Sequence, residues 1–245
     1  MTPAKPVALV TGGAKRVGRA IVERLAAEGF NIAFTYHGST AAAAELVATL
    51  TNHGTTALAI QCDLTDPDPA TAEIATRITA HFARLDVLVN NASLYEPSDL
   101  SHATLAQLRR FQAIHVESPL LLCQRLAALL RAGDGGHIIN MVDVLAERPW
   151  PQYLAYCTTK AALVNLTLGL ARELAPQVTV NGIAPGVVEW PPGYPEDEKQ
   201  KYLQRVPLAR PGTSTDVAEL IAFLVTRGTY ITGQIIRLDG GRMLT

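Results

Sequence analysis

Tyr156 and Lys160 stand four residues apart in Tyr-Cys-Thr-Thr-Lys, at the start of an apolar-periodic run. A helix puts residues i and i+4 on one face. A lysine ammonium beside a phenol favours the phenolate and lowers its pKa. Such a tyrosine is expected to trade a proton near neutral pH. The spacing alone is common, so its weight depends on what else the chain carries.

Far upstream, Thr11-Gly12-Gly13-Ala14-Lys15-Arg16-Val17-Gly18 joins a first predicted strand to a first predicted helix. Glycines there allow close backbone approach to a pyrophosphate, and the helix N-terminus adds free N–H groups and partial positive charge. The spacing is neither G-x-G-x-x-G nor a Walker loop, and a plain glycine-bearing turn without a ligand would read the same. The second strand ends in Thr35-Tyr36-His37-Gly38-Ser39, with no acid between Glu28 and Glu45. An NAD-preferring fold places a carboxylate there to bond the ribose hydroxyls. Here Lys15 and Arg16 bring positive charge instead, which suits the 2′-phosphate of NADP; the alternative is two solvated loop charges.

The elements that must position these residues follow from hydrophobic periodicity. Short β-branched runs at 7–11, 31–36, 56–61, 87–90, 137–142, 178–183 and 235–238 alternate with amphipathic stretches at 17–28, 41–52, 69–84, 105–131, 153–174 and 215–226. Strands apolar on both faces, alternating with helices, argue for an α/β fold with a doubly wound parallel sheet. The 245 residues show no linker or repeat and suit a single domain over 1–245, with a turn-rich substrate loop at about 186–205. Apolar residues make up 48% and the net charge is −1, which supports a core and gives no nucleic-acid footprint. No uninterrupted 18-residue apolar run is present, so no membrane span is expected. The opening residues lack a signal-peptide pattern, and a cytoplasmic protein is expected. Cys62, Cys123 and Cys157 form no disulfide framework or zinc pattern, and the six histidines have no metal spacing.

These pieces together resemble the short-chain dehydrogenase/reductase family along nearly the whole chain. The matching residues are Thr11-Gly12…Gly18, Asp63, Asn90-Asn91-Ala92, Tyr156…Lys160, Asn181, Pro185-Gly186, and Tyr230-Ile231-Thr232-Gly233…Asp239-Gly240-Gly241. The resemblance implies a Rossmann fold, a nicotinamide cofactor and a homotetramer. Four positions depart from the common pattern. Arg16 stands in place of a loop glycine, and Ser93 in place of the glycine of Asn-Ala-Gly. Asp143 occupies the position of the usual catalytic serine, and His115 that of a helix asparagine. This combination is similar to the pteridine reductase branch, including bacterial dihydromonapterin reductases. Thr-Gly-x-x-Lys-Arg-x-Gly, Tyr-His-x-Ser, Asn-Asn-Ala-Ser and Asn-Met-Val-Asp are shared with it.

The resemblance implies NADPH contacts at Gly12, Lys15, Arg16, Val17, His37, Gly38, Ser39, Asp63, Leu64, Asn91, Ala92, Ser93, Tyr156, Lys160, Pro185, Gly186 and Val187, with Asn181 helping to position the nicotinamide end. It implies catalysis by Asp143, Tyr156 and Lys160, and pterin contacts at Ser93, Tyr95, Asp143 and Tyr156. Tyr95 is expected to stack on the substrate. Asp143 either shares a proton with Tyr156 or simply caps the loop after its strand. His115 is either part of a proton relay or a satisfied buried histidine. Trp150, Trp190 and Tyr194 either line the substrate pocket or pack their loops. The expected activity is NADPH-dependent reduction of a dihydropterin or dihydrofolate. A carbonyl or 3-ketoacyl reductase is the alternative, and a non-catalytic NADPH sensor a more distant one.

Overall fold

A computed structural model describes residues 5–133, 135–190 and 193–245. Pro191 and Pro192 of the expected substrate loop lie outside the described residues. Seven strands form one parallel sheet in the order β3-β2-β1-β4-β5-β6-β7. They are β1 (Val7–Val10), β2 (Asn31–Tyr36), β3 (Ala57–Gln61), β4 (Val87–Asn90), β5 (Gly136–Met141), β6 (Val178–Pro185) and β7 (Ile235–Leu238). Helices α1 (Arg16–Ala27), α2 (Thr40–Asn52) and α8 (Ser214–Thr226) cover one face. Helices α3 (Pro67–Phe82), α5 (Ser118–Arg131) and α6 (Leu154–Glu173) cover the other. Two further helices are α4 (Leu105–Gln112) and α7 (Glu196–Leu203).

The continuous apolar strands have a simple cause. Successive side chains of β1 enter opposite layers: Ala8 and Val10 pack under α1 and α8, and Val7 and Leu9 pack under α3 and α5. In β4, Val87 and Val89 take the first layer and Leu88 the second. A strand covered on both sides has no solvent face, so it shows no polar alternation.

The chain order reverses direction between β1 and β4, which leave a crevice beyond their carboxyl ends. The loops after β1, β4, β5 and β6 converge there.

The sequence reading has one long helix over 105–131, and the fold interrupts it. Residues Ala113–Glu117 form a π-helical turn, closed by the Ser118 N–H donating to the Ala113 carbonyl. Pro119 supplies no N–H to the carbonyl of His115, and its ring crowds that carbonyl. A widened turn absorbs the misfit and carries His115 into the interior.

By length and composition alone, Leu105–Arg131 and Pro151–Glu173 are long and apolar enough to cross a membrane. About half of each apolar window is buried inside the molecule, where α5 packs on α3 and α6 on β6. They are core helices of this fold.

Candidate active site

The loop between β1 and α1 is tied to the end of β4 through the side chains of Thr11 and Asn91. Thr11 Oγ1 accepts the N–H groups of Asn91 and Ala92 at 2.9 and 3.0 Å. Asn91 Nδ2 donates back to the carbonyls of Thr11 and Gly12 at 2.8 and 3.2 Å. Gly12 has a φ of +65°, and a Cβ on Gly18 would stand 2.1 Å from the Gly12 carbonyl oxygen. Only glycine permits that turn and that approach. The first turn of α1 carries no acid, and Lys15 at its N-cap makes no side-chain cap. Its N–H groups therefore face the crevice with a positive end and two cations.

Next to it opens a cavity of about 390 Å³, lined by Gly12, Lys15, Arg16, Val17, His37, Asp63, Leu64, Asn91, Ala92 and Ser93, among others. These are the expected cofactor residues at this end. Gly38 and Ser39 follow β2 and fall outside the lining. Asp63 holds its own loop, accepting the N–H and hydroxyl of Thr65 at 2.9 and 2.7 Å. Those bonds keep its carboxyl below the usual range. An anion-binding helix terminus, a glycine cradle and the two cations Lys15 and Arg16 fit a phosphorylated dinucleotide.

Arg16 has a φ of +52°, a left-handed conformation rare outside glycine. It projects across the crevice, and its Nε meets Glu189 Oε2 at 2.6 Å. Glu189 also accepts from the Ser214 hydroxyl. Arg16 thus links the phosphate loop to the segment after β6.

A second cavity of about 510 Å³ continues from the first and shares Arg16, Val17, Asn91, Ser93 and Leu94 with it. Its walls are aromatic: Tyr95, Trp150, Tyr156, Trp190, Tyr194 and Tyr202. Pro185, Gly186 and Val187 line it from β6, and Asp143 and Lys160 line its buried end.

Asp143 follows β5 and uses its two oxygens differently. Oδ1 accepts the Leu145 N–H at 2.8 Å, capping a short 3-10 turn over Val144–Ala146. Oδ2 accepts the Tyr156 hydroxyl at 2.8 Å. Asp143 therefore caps the loop and also stands within hydrogen-bond reach of Tyr156, the contact that proton sharing would need. Burial raises its carboxyl pKa, against the Leu145 and Tyr156 hydrogen bonds and the Lys160 charge.

Lys160 is 2% exposed, and its Nζ donates to the Met141 carbonyl at 2.8 Å. Burial lowers its pKa from 10.5 to about 8. The expected lowering of the Tyr156 pKa is not what the fold produces. Burial first, and then the Asp143 carboxylate, push the phenol well above its ordinary 10. Lys160 Nζ stands 5.7 Å from the ring centroid, so the phenol meets the carboxylate before the ammonium. Tyr156 is a protonated donor here.

His115 is buried and bonded at both ring nitrogens, to Ser93 and Leu94 on one side and Thr159 on the other. It stacks near Phe111 and meets Tyr156 edge-on. Burial, then the Lys160 charge, hold it well below its ordinary 6.5, so it is neutral. Tyr95 is stacked on Tyr153 at 4.4 Å between centroids and is T-shaped to Tyr156. Asn181 lies elsewhere. Its side chain bonds the Ile231 carbonyl and the Gln234 N–H at 2.7 and 3.1 Å, fixing the entry to β7.

Three contributors were not read from the sequence. Tyr202 accepts the Val187 N–H at 3.2 Å and packs edge-on to Trp150 and Trp190. Tyr153 supports Tyr95, and Glu189 holds Arg16. Tyr202 carries a signal in hindsight, as one of only two uncharged, apolar-bodied residues beside Leu203 in Glu-Asp-Glu-Lys-Gln-Lys-Tyr-Leu.

The parallel sheet, switch-point crevice and buried Tyr-Lys pair define a dinucleotide-binding α/β oxidoreductase. A family model described as enoyl-(acyl carrier protein) reductase matches residues 12–243. The chain belongs to the short-chain dehydrogenase/reductase family. It is 36% identical to 3-oxoacyl-(acyl-carrier-protein) reductase FabG of Staphylococcus aureus over 249 residues, covering 96% of each chain. It is 34% identical to pteridine reductase 1 of Leishmania tarentolae over 287 residues, covering 100% of this chain and 98% of the relative. Among solved structures, a blue fluorescent protein from a metagenomic library in complex with NADPH superposes with a TM-score of 0.91 at 36% identity, with 97% of each chain covered. A double mutant of a Serratia marcescens short-chain dehydrogenase/reductase gives 0.90 at the same identity and coverage.

Proposed function

We propose that this chain is an NADPH-dependent reductase of pteridines, taking dihydromonapterin, dihydrobiopterin or dihydrofolate to the tetrahydro form. The observation that carries the reading is the Asp143–Tyr156 pair, 2.8 Å apart at the buried end of an aromatic cavity. A serine hydroxyl at that position would donate to a carbonyl oxygen. A carboxylate there faces a carbonyl as acceptor against acceptor, whereas it matches a ring N–H or an amino group.

NADPH, when bound, supplies the hydride to the carbon of a C=N bond. The chain's own residues hold the proton for the neighbouring nitrogen. Tyr156 keeps its proton because burial and Asp143 disfavour the phenolate. Asp143, raised by burial, enters the step carrying a proton: Tyr156 gives its hydrogen to the ligand nitrogen, Asp143 returns one to the phenol oxygen, and solvent reprotonates Asp143. Lys160, fixed by the Met141 carbonyl, supplies the positive charge that balances Asp143. Tyr95, backed by Tyr153, offers a supported ring to a planar substrate, and such aromatic contacts add roughly 0.5–1.5 kcal/mol. Arg16 and Lys15 hold the cofactor phosphates. The exposed leucines Leu108, Leu120 and Leu168 on α4, α5 and α6 support a homotetramer built on those helices.

A second reading, 3-ketoacyl reduction, is favoured by the FabG relatives at similar identity. NADPH oxidation followed with dihydropterins and with acetoacetyl thioesters separates the two. We expect turnover with dihydropterins and little with the thioesters; the reverse pattern rejects the pteridine assignment.

A further inference from the structure

A chain of four hydrogen bonds runs from the catalytic helix to the wall of the crevice, and donor and acceptor roles along it are fixed by counting hydrogens. The Thr159 hydroxyl donates to the Tyr156 carbonyl at 2.8 Å. His115 Nδ1 lies 2.8 Å from Thr159 Oγ1, and His115 Nε2 lies 2.8 Å from Ser93 Oγ. The Leu94 backbone N–H points at Nε2 from 3.3 Å.

A backbone N–H can only donate, so Nε2 must accept. A neutral imidazole carries one hydrogen, which then sits on Nδ1. Nδ1 donates to Thr159, whose own hydrogen is already given to the Tyr156 carbonyl, so both ends of the chain agree. With Nε2 bare, the Ser93 hydroxyl donates to it. The competing acceptor, the Leu94 carbonyl, is at 3.4 Å, long for an O–H···O bond.

We propose that His115 is a positioning residue that makes Ser93 an acceptor-only group toward the ligand, so that the site selects an N–H edge and rejects a carbonyl oxygen at that point. Ser93 lines both cavities and is exposed to the crevice, while His115 is 1% exposed and shielded by Phe111 and Tyr156. The π-helical turn before Pro119 is what brings the ring to this position. Resting on the pteridine reading, the matching ligand group is an exocyclic amino group or ring N–H of the pyrimidine half. Neutrality of the ring, enforced by burial, keeps the polarity constant across the physiological range.

Neutron diffraction from deuterium-exchanged crystals tests the polarity directly. Deuterium is expected on His115 Nδ1 and on Ser93 Oγ along the line to Nε2. Deuterium on Nε2 overturns the inference, whether or not pteridines bind. A binding comparison, with NADP present, uses a 2-aminopteridine and its 2-oxo analogue. Wild type should prefer the amino form by about tenfold, the worth of one hydrogen bond. Ser93→Ala and Thr159→Val should bring the ratio toward one; an unchanged ratio in the exposed Ser93→Ala variant rejects the selection role. If neither pteridine binds while deuterium sits on Nδ1, the polarity stands and the pteridine reading fails.

Discussion

At the phosphate end of the crevice, the decisive feature is close backbone approach at Gly12 and Gly18. Thr11, Gly12 and Asn91 tie the loop to β4, and the charged groups Lys15, Arg16 and His37 stand in solvent. At the aromatic end, the walls are side chains from at least five separate segments; Tyr156 and Lys160 are buried, Asp143 is half-buried, and desolvation displaces the pKa of all three. A wall made of backbone depends on what must be absent, such as a Cβ at Gly18. A wall made of side chains depends on which groups are present and how burial sets their protonation. Substitutions at the two ends should therefore fail in different ways.

The largest effect is expected at the buried end. Asp143→Asn keeps an oxygen for the Leu145 N–H but removes the proton-sharing carboxylate. Turnover should fall by about 10²–10⁴-fold, the usual range for a lost general acid or base. NADPH affinity, read by fluorescence titration, should change by less than about threefold, because a neutral isostere leaves the phosphate end intact. A turnover close to wild type would remove Asp143 from the chemistry.

Gly18→Ala attacks the other end. Its Cβ would fall 2.1 Å from the Gly12 carbonyl oxygen, and backbone must move to relieve it. NADPH binding should weaken by well over tenfold and Tm should drop, while Asp143 and Tyr156 keep their bond. If this variant bound NADPH normally, the tight loop geometry would not be what the cofactor requires.

Arg16→Gly separates strain from charge at a single position. Glycine adopts a φ of +52° without the cost that arginine bears there. Tm should stay level or rise slightly, while NADPH affinity falls about tenfold, more at low salt than at high. Glu189→Gln is smaller and opposite. It frees Arg16 from an exposed ion pair, so NADPH should bind about two- to threefold more tightly at low ionic strength. Unchanged affinity in both would mean that Arg16 does not meet the phosphates.

The same contrast explains how far the sequence could be read. The alternation of strands and helices, the phosphate loop and the Tyr156–Lys160 pair were legible because local periodicity and short spacings encode them. Arg16, Ser93, Tyr95 and Asp143 were legible as departures from, or matches to, a family pattern. Tyr202 and Glu189 were not, because how their short helix and loop pack over the cavity is dictated by no local pattern. The direction of the Tyr156 shift was misread for a related reason. The i, i+4 spacing places Lys160 on the right face, but burial depth and the Lys160–Met141 bond are tertiary facts. The break in the helix at Ala113–Glu117 had a local signal, Pro119, whose effect on His115 emerges only once the turn is packed.

A final test asks whether the buried charges at the aromatic end cost stability, as their displaced pKa values require. Lys160 titrates at about 8 when folded and near 10.5 when unfolded. Between those values the unfolded chain binds more protons, so this group adds stability as pH rises through the window, and its burial cost is full below pH 8. Asp143 runs the other way: its folded pKa lies above 3.8, so stability falls as pH rises from 3.8 toward that value. In Lys160→Met, the difference in Tm from wild type should be largest below pH 8 and shrink by a few degrees toward pH 10.5. Asp143→Asn removes the carboxylate that raises the Lys160 pKa, so in that background the same window should open at lower pH. Parallel Tm profiles in wild type and Lys160→Met would show that Lys160 is solvated, and the contrast between a solvent-exposed phosphate end and a desolvated catalytic end would collapse.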